Sequence, residues 1–172
     1  MPDDPSGETL HLWRAYVPRW AHAPLSGEGA ARFGGRWNAI GTPCLYLAME
    51  MSTAWAEYNQ NIGQHPALIV KLELTGARLA DLTDEAELHR LEIDRAIHTV
   101  EWRAEMDEGR VPDTHRHQRR LSRSGFDGLI YPSFMSRGGR CVALWRWNRA
   151  TGPKLVAIDP EGRLPKNAAS WM

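Results

Sequence analysis

The placement of strand-like segments constrains this chain more than any other feature of it. The run ALIVKLELTG (67–76) is rich in β-branched residues and closes on Thr-Gly, which marks a strand and its turn. HLWRAYV (11–17), PCLYLAM (43–49), DGLIYPS (127–133), RCVALWRW (140–147) and KLVAID (154–159) read in the same way. Helical periodicity falls between some of these segments and not between others. Strands before, between and after helices, without regular alternation, predict an α+β fold rather than a doubly wound sheet. The 172 residues contain no internal repeat and no linker, so residues 1–172 read as one domain. Its core runs from about 10 to 150, followed by a C-terminal strand and a loosely held last dozen residues.

Three helical segments are expected. Ser52 is an N-cap candidate for a helix reaching about Ile62, which Gly63 would stop. Met51, Ala54, Trp55, Tyr58 and Ile62 form its apolar stripe, and Glu57 lies beside the stripe, where it would border a cleft. The acidic stretch from Asp84 to about Asp107 reads as a second helix, and the polar stretch 113–124 as a third. Residues 18–42, rich in Gly and Pro, read as irregular.

Several function classes are disfavoured. There is no run of about 18 apolar residues, so no transmembrane helix is expected. The start MPDDPSGETL is acidic and polar, unlike a secretory signal, and Cys44 and Cys141 read as two reduced thiols, together pointing to the cytoplasm. No GxxxxGK[ST], HExxH or GxSxG motif occurs, and the glycine pairs at 34–35 and 138–139 do not form GxGxxG. His115 and His117 lack a third ligand at a usable spacing, so they read as solvated side chains, with no metal.

The formal net charge is zero but unevenly spread, with a balance of −6 over residues 65–109 and +7 over 110–149. Only Lys71, Lys154 and Lys166 are lysines among 21 basic residues. An arginine bias suits forked recognition of phosphate, and codon usage produces the same bias. The run RHQRR (116–120) reads as a solvated basic helix face; RNA binding or cleavage through these arginines is the alternative.

The segment RFGGRWNAIG (32–41) sets Arg36 directly after two glycines, which permit tight turns and close approach of a ligand. Tyr46 lies on the next strand, Glu57 on the helix after it, and Ser133 at the end of a later strand, before the glycine-rich SRGGR. A strand, a turn and one helical turn can bring Arg36, Tyr46 and Glu57 to one cleft, and strand ends are where reactive side chains gather. Each also has an ordinary reading: a loop ion pair, a core tyrosine, a solvated helix face and a turn serine.

Taken together, WR at 13–14, GGRWNAIGTPCLYLAM at 34–49, Ala54-x-x-Glu57 and GLIYPSFMSRGG at 128–139 resemble the RES domain family. The resemblance spans about residues 10–150 and carries nothing for 77–125. It implies a split mixed β-sheet with flanking helices, similar to the ADP-ribosyltransferase toxins. It further implies the toxin of a type II toxin–antitoxin pair, neutralised by an Xre-like antitoxin that would carry any nucleic-acid contacts. Such toxins take NAD+ as substrate, cleaving its nicotinamide–ribose bond by hydrolysis or phosphorolysis, and some members ADP-ribosylate a protein instead. Position by position, Arg36, Tyr46, Glu57 and Ser133 match the family's active-site pattern. Arg14 matches an early arginine assigned to NAD+ binding, with Trp37 and Asn38 as candidate pocket walls beside Arg36 and Tyr46, a structural Trp37 being the equal alternative.

Overall fold

Alternating burial along Thr9–Tyr16 (β1) and Leu68–Thr75 (β3) shows why these two segments pair: Leu12 and Tyr16 turn inward beside Val70, Leu72 and Leu74. The computed structural model describes residues 8–60 and 63–171. Its remaining strands are β2 (Leu45–Ala48), β4 (Leu79–Asp81), β5 (Gly128–Pro132), β6 (Arg140–Leu144) and β7 (Lys154–Ala157). All join one seven-stranded sheet of order β4-β5-β6-β2-β1-β3-β7. The β4–β5 pair is parallel and every other pair antiparallel, so the sheet is mixed. Within it β1 meets β2 through a single register pair, Trp13 opposite Ala48.

The central strands bury both faces, which accounts for their nearly unbroken apolar runs. Leu129, Tyr131, Cys141 and Ala143 face one core cluster, while Ile130, Val142 and Leu144 face the other. The first cluster is completed by Trp37, Leu82, Leu88, Ile97, Leu121, Phe126 and Trp145. The helices α1 (Glu28–Phe33), α2 (Met51–Asn59), α3 (Glu85–Arg90), α4 (Trp102–Asp107) and α5 (Asp113–Arg123) flank this sheet, giving the expected α+β architecture.

Some local expectations are corrected. The single helix expected over 84–107 is three short turns of helix: α3, a 3-10 segment Arg95–Thr99, and α4. The reason is local competition for the backbone. Asp84 and Asp94 each accept a bond from an N–H two residues on, which starts a new helix, and Glu92 has a positive φ of 54°. The region expected to be irregular contains α1, and β4 was not expected at all.

The helix α2 also differs from expectation. Its N-cap is Glu50 rather than Ser52, and it ends at Asn59 with Gln60 left-handed, while Ile62 lies outside the described residues. Met51 is half exposed, and the buried side chains are Thr53, Ala54 and Asn59. Residues 161–169 are mostly exposed, but Asp159 accepts N–H bonds from Arg163 and Leu164, and Leu164 packs on the core.

Gly128 opens β5 where a Cβ would lie 2.5 Å from the Ala143 carbonyl oxygen and 2.9 Å from a Leu79 methyl. Gly128→Ala is therefore expected to cost about 2 kcal/mol through overpacking. In a thermal melt this is a fall in Tm of roughly 4–8 °C for a chain of this size.

Candidate functional site

The GGRWN segment forms a tight reverse turn. Gly35 and Asn38 bridge through paired backbone bonds of 3.0 and 3.4 Å, leaving Arg36 and Trp37 at the two corners. The two side chains part there. Trp37 is fully buried in the core beside Tyr131, with ring centroids 5.9 Å apart, while Arg36 projects over the Phe134 ring at 4.0 Å.

Tyr46 fastens this turn from β2. Its hydroxyl donates to Asn38 Oδ1 at 2.7 Å and accepts the Trp37 N–H at 2.9 Å. Asn38, also fully buried, donates its amide hydrogens to the carbonyls of Ala30 and Thr42. From α5, His115 Nε2 contacts the Gly35 carbonyl oxygen at 2.7 Å. A carbonyl only accepts, so Nε2 carries the proton there. Gly35 has no room for a side chain: a Cβ would stand 2.7 Å from Asn38 Oδ1.

The loop after β5 is held from α2 by two side chains one helical turn apart. Thr53 Oγ1 donates to Ser136 Oγ at 3.3 Å, and Glu57 Oε1 accepts from the Ser133 hydroxyl at 2.5 Å. Glu57 Oε1 also accepts the Phe134 N–H at 2.9 Å and the Met135 N–H at 3.3 Å. The Cys141 thiol approaches the same oxygen at 3.9 Å, and Oε2 has no hydrogen-bond partner among the described residues. The Ser133 Oγ in turn accepts the Ser136 N–H at 2.9 Å, which fixes the hydroxyl's direction.

These elements enclose a cavity of about 590 Å3, within the range of small-molecule sites. Glu57, Arg36, the Tyr46 ring and Arg14 line it. Burial lowers the Arg36 pKa, opposed by nearby Tyr131, Glu57, Tyr46 and Glu101, and no carboxylate closes an ion pair with it among the described residues. Arg14 is pulled down to about 10 by burial, and its guanidinium is occupied with the carbonyls of Pro24 and Ser26 at 2.5 and 3.0 Å. It braces the loop before α1 as well as facing the cavity.

Three of the expected residues stand elsewhere than the cavity wall. Ser133 reaches the site through Glu57, and Trp37 and Asn38 lie beneath the turn, fully buried. Of the two readings of Trp37 the structural one holds, because turn geometry sends it inward, and Asn38 as a pocket wall is corrected, because its amide is consumed by backbone carbonyls. The HxH pair is corrected too: His115 is buried, not solvated.

Tyr131, Trp102, Arg103 and Phe134 line the cavity without having been singled out. Period-two alternation from Ser133 back along β5 points to Tyr131, whose phenol is held neutral, its pKa raised well above normal by burial and by neighbouring Cys141 and Glu57. Cys44 and Cys141 line the same cavity as free thiols pushed up to about 12 by burial, which leaves them protonated.

The family model described as RES domain matches residues 11–167. A curated relative, "Toxin Res" of Photorhabdus laumondii subsp. laumondii, is 35% identical over 57 residues, covering 33% of this chain and 36% of that protein. The chain thus aligns with little more than a third of that relative's length. Among solved structures, a chain from the crystal structure of the M. tuberculosis MbcT-MbcA toxin-antitoxin complex superposes with a TM-score of 0.63. It is 17% identical, with 89% of this chain and 86% of that chain covered, a likeness of fold.

Two stability measurements check the network under Arg36. Tyr46→Phe leaves the buried Trp37 N–H without an acceptor and is expected to cost about 2 kcal/mol in denaturant melts. His115, lowered chiefly by burial, is neutral when folded and ordinary when unfolded. Its stabilisation is complete above the unfolded pKa near 6.5 and is lost as pH falls below it. His115→Gln is expected to flatten the fall in stability between about pH 7.5 and 5.

Proposed function

The chain belongs to the RES domain family, and on that premise we propose that it is the toxin of a bacterial toxin–antitoxin pair and breaks the nicotinamide–ribose bond of NAD+. The observation that carries the reading is Glu57, a cavity-lining carboxylate whose Oε1 takes the Ser133 hydroxyl and two backbone N–H groups, beside an arginine that pairs with no carboxylate among the described residues.

That pairing suits the chemistry. Cleavage passes through an oxocarbenium-like state at the ribose, which a carboxylate stabilises while holding a ribose hydroxyl. The C1′–N bond breaks with both electrons leaving on nicotinamide, which departs neutral, so no general acid is required. Water or inorganic phosphate then bonds to C1′, and the acceptor's proton passes to solvent. Arg36 uses one N–H on the Val100 carbonyl at 3.2 Å, and its remaining donors grip the pyrophosphate. The Tyr46 ring supplies a flat face to the nicotinamide ribose, and Ser133 acts through Glu57.

The partner in this reading is an Xre-like protein antitoxin, in keeping with the toxin named among the relatives and the complex among the solved structures. It acts in the cytoplasm, where NAD+ and that partner are found; no helix among the described residues is long and apolar enough to cross a membrane.

Nicotinamide release from NAD+ by the purified chain, with and without phosphate, tests the proposal. Glu57→Gln is expected to lower turnover on the order of 100-fold or more, with NAD+ affinity nearly kept. Arg36→Lys is expected to weaken NAD+ binding about tenfold, because a point charge does not replace the fork. Full activity of Glu57→Gln would refute the assignment. ADP-ribose retained on a protein rather than released would replace hydrolysis with protein ADP-ribosylation.

A further inference from the structure

Part of the cavity wall is built by residues outside the recognisable motifs. Arg36 donates to the carbonyl of Val100, and two residues on α4 presents Trp102 and Arg103 to the same cavity. The contact between α4 and the turn is close: a Cβ on Gly34 would stand 2.8 Å from the Met106 methyl. Phe33, at the end of α1, borders the same cavity and is 72% exposed. Arg103 lies with its guanidinium 4.8 Å from the Trp102 ring centroid and, among the described residues, makes no hydrogen bond or ion pair. Arg36 thus contacts both Phe134, whose N–H meets Glu57, and Val100, which leads into the aromatic and cationic residues at the start of α4.

Resting on the NAD+ reading above, we infer that Trp102 and Arg103 form the subsite for the adenosine half of the dinucleotide. The order of groups along the ligand carries this. With the nicotinamide ribose at Glu57 and the pyrophosphate at Arg36, what lies beyond the pyrophosphate is an adenine and its ribose. An indole face backed by a guanidinium is suited to stack a purine, and Arg103 adds a cation near the phosphate on that side. An exposed Phe33 at the same rim gives the base a second apolar neighbour. Trp102 and Arg103 are thereby residues of substrate selection, acting in binding and not in bond cleavage.

The test uses the two halves of the substrate separately. AMP and nicotinamide mononucleotide are each titrated calorimetrically and used as competitors of NAD+ turnover, on the wild type, Trp102→Ala, Trp102→Phe and Arg103→Ala. Trp102→Ala is expected to raise the KM for NAD+ and the AMP constant by about tenfold, the usual loss for one stacked base. It should leave kcat and the mononucleotide constant within about twofold, and Trp102→Phe should restore most of the loss. Unchanged Tm across the variants separates these effects from misfolding. The inference is overturned if AMP does not bind the wild type, or if Trp102→Ala weakens AMP and mononucleotide alike. It is also overturned if kcat falls while KM holds. A wild type that consumes no NAD+ yet binds AMP at Trp102 would sink the proposed reaction and leave the subsite standing. NAD+ consumption indifferent to Trp102 would do the reverse.

Discussion

The bond from the Ser133 hydroxyl to Glu57 Oε1 ties together parts of the chain 76 residues apart, and the site depends on it. Glu57 belongs to a short helix whose own burial is modest, with Thr53, Ala54 and Asn59 its buried side chains. A carboxylate on such a helix would ordinarily be solvated and mobile. Here the loop after β5 turns two backbone N–H groups and one hydroxyl onto a single oxygen, while Thr53 holds the same loop one turn earlier. The β5–β6 connection is in turn closed by the Ser133 N–H on the Gly139 carbonyl at 2.8 Å. The carboxylate is preorganised by the sheet, and the orientation of its second oxygen follows from the first.

Arg36 is presented by a different device. The reverse turn at Gly35–Asn38 puts consecutive side chains on opposite sides, and burying Trp37 in the core commits Arg36 to the cavity. Tyr46, Asn38 and His115 hold the turn through donors and acceptors that are nearly all consumed inside the protein. Desolvation lowers the Arg36 pKa and is only partly opposed by Tyr131, Glu57, Tyr46 and Glu101, while the guanidinium lies over the Phe134 ring. Rigid support and an unspent charge go together in this site.

Much of this was legible beforehand, and the reasons differ by residue. The strands at 9–16, 45–48, 68–75, 128–132, 140–144 and 154–157 coincide with the apolar runs, because burial on one face or on both writes itself directly into composition. The juxtaposition of Arg36, Tyr46 and Glu57 was readable from a short strand–turn–helix path. The inward course of Trp37 was not, since Gly-Gly permits either hand of presentation. The Asp84–Asp107 stretch misled because Asp84 and Asp94 satisfy a helical period while serving as caps that restart the chain. Trp102 and Arg103 left no local signal: their place at the cavity is fixed by packing of α4 on Gly34, a contact between segments some 70 residues apart in number.

The central claim is that Glu57 Oε2 faces the nicotinamide ribose while Arg36 holds the pyrophosphate. A crystal structure of Glu57→Gln with NAD+ tests it most directly, since slow turnover should leave the dinucleotide intact. The nicotinamide ribose is expected within hydrogen-bond reach of residue 57 and the pyrophosphate on the Arg36 fork. Density showing NAD+ elsewhere, or in this cavity with the nicotinamide ribose remote from residue 57, would contradict it.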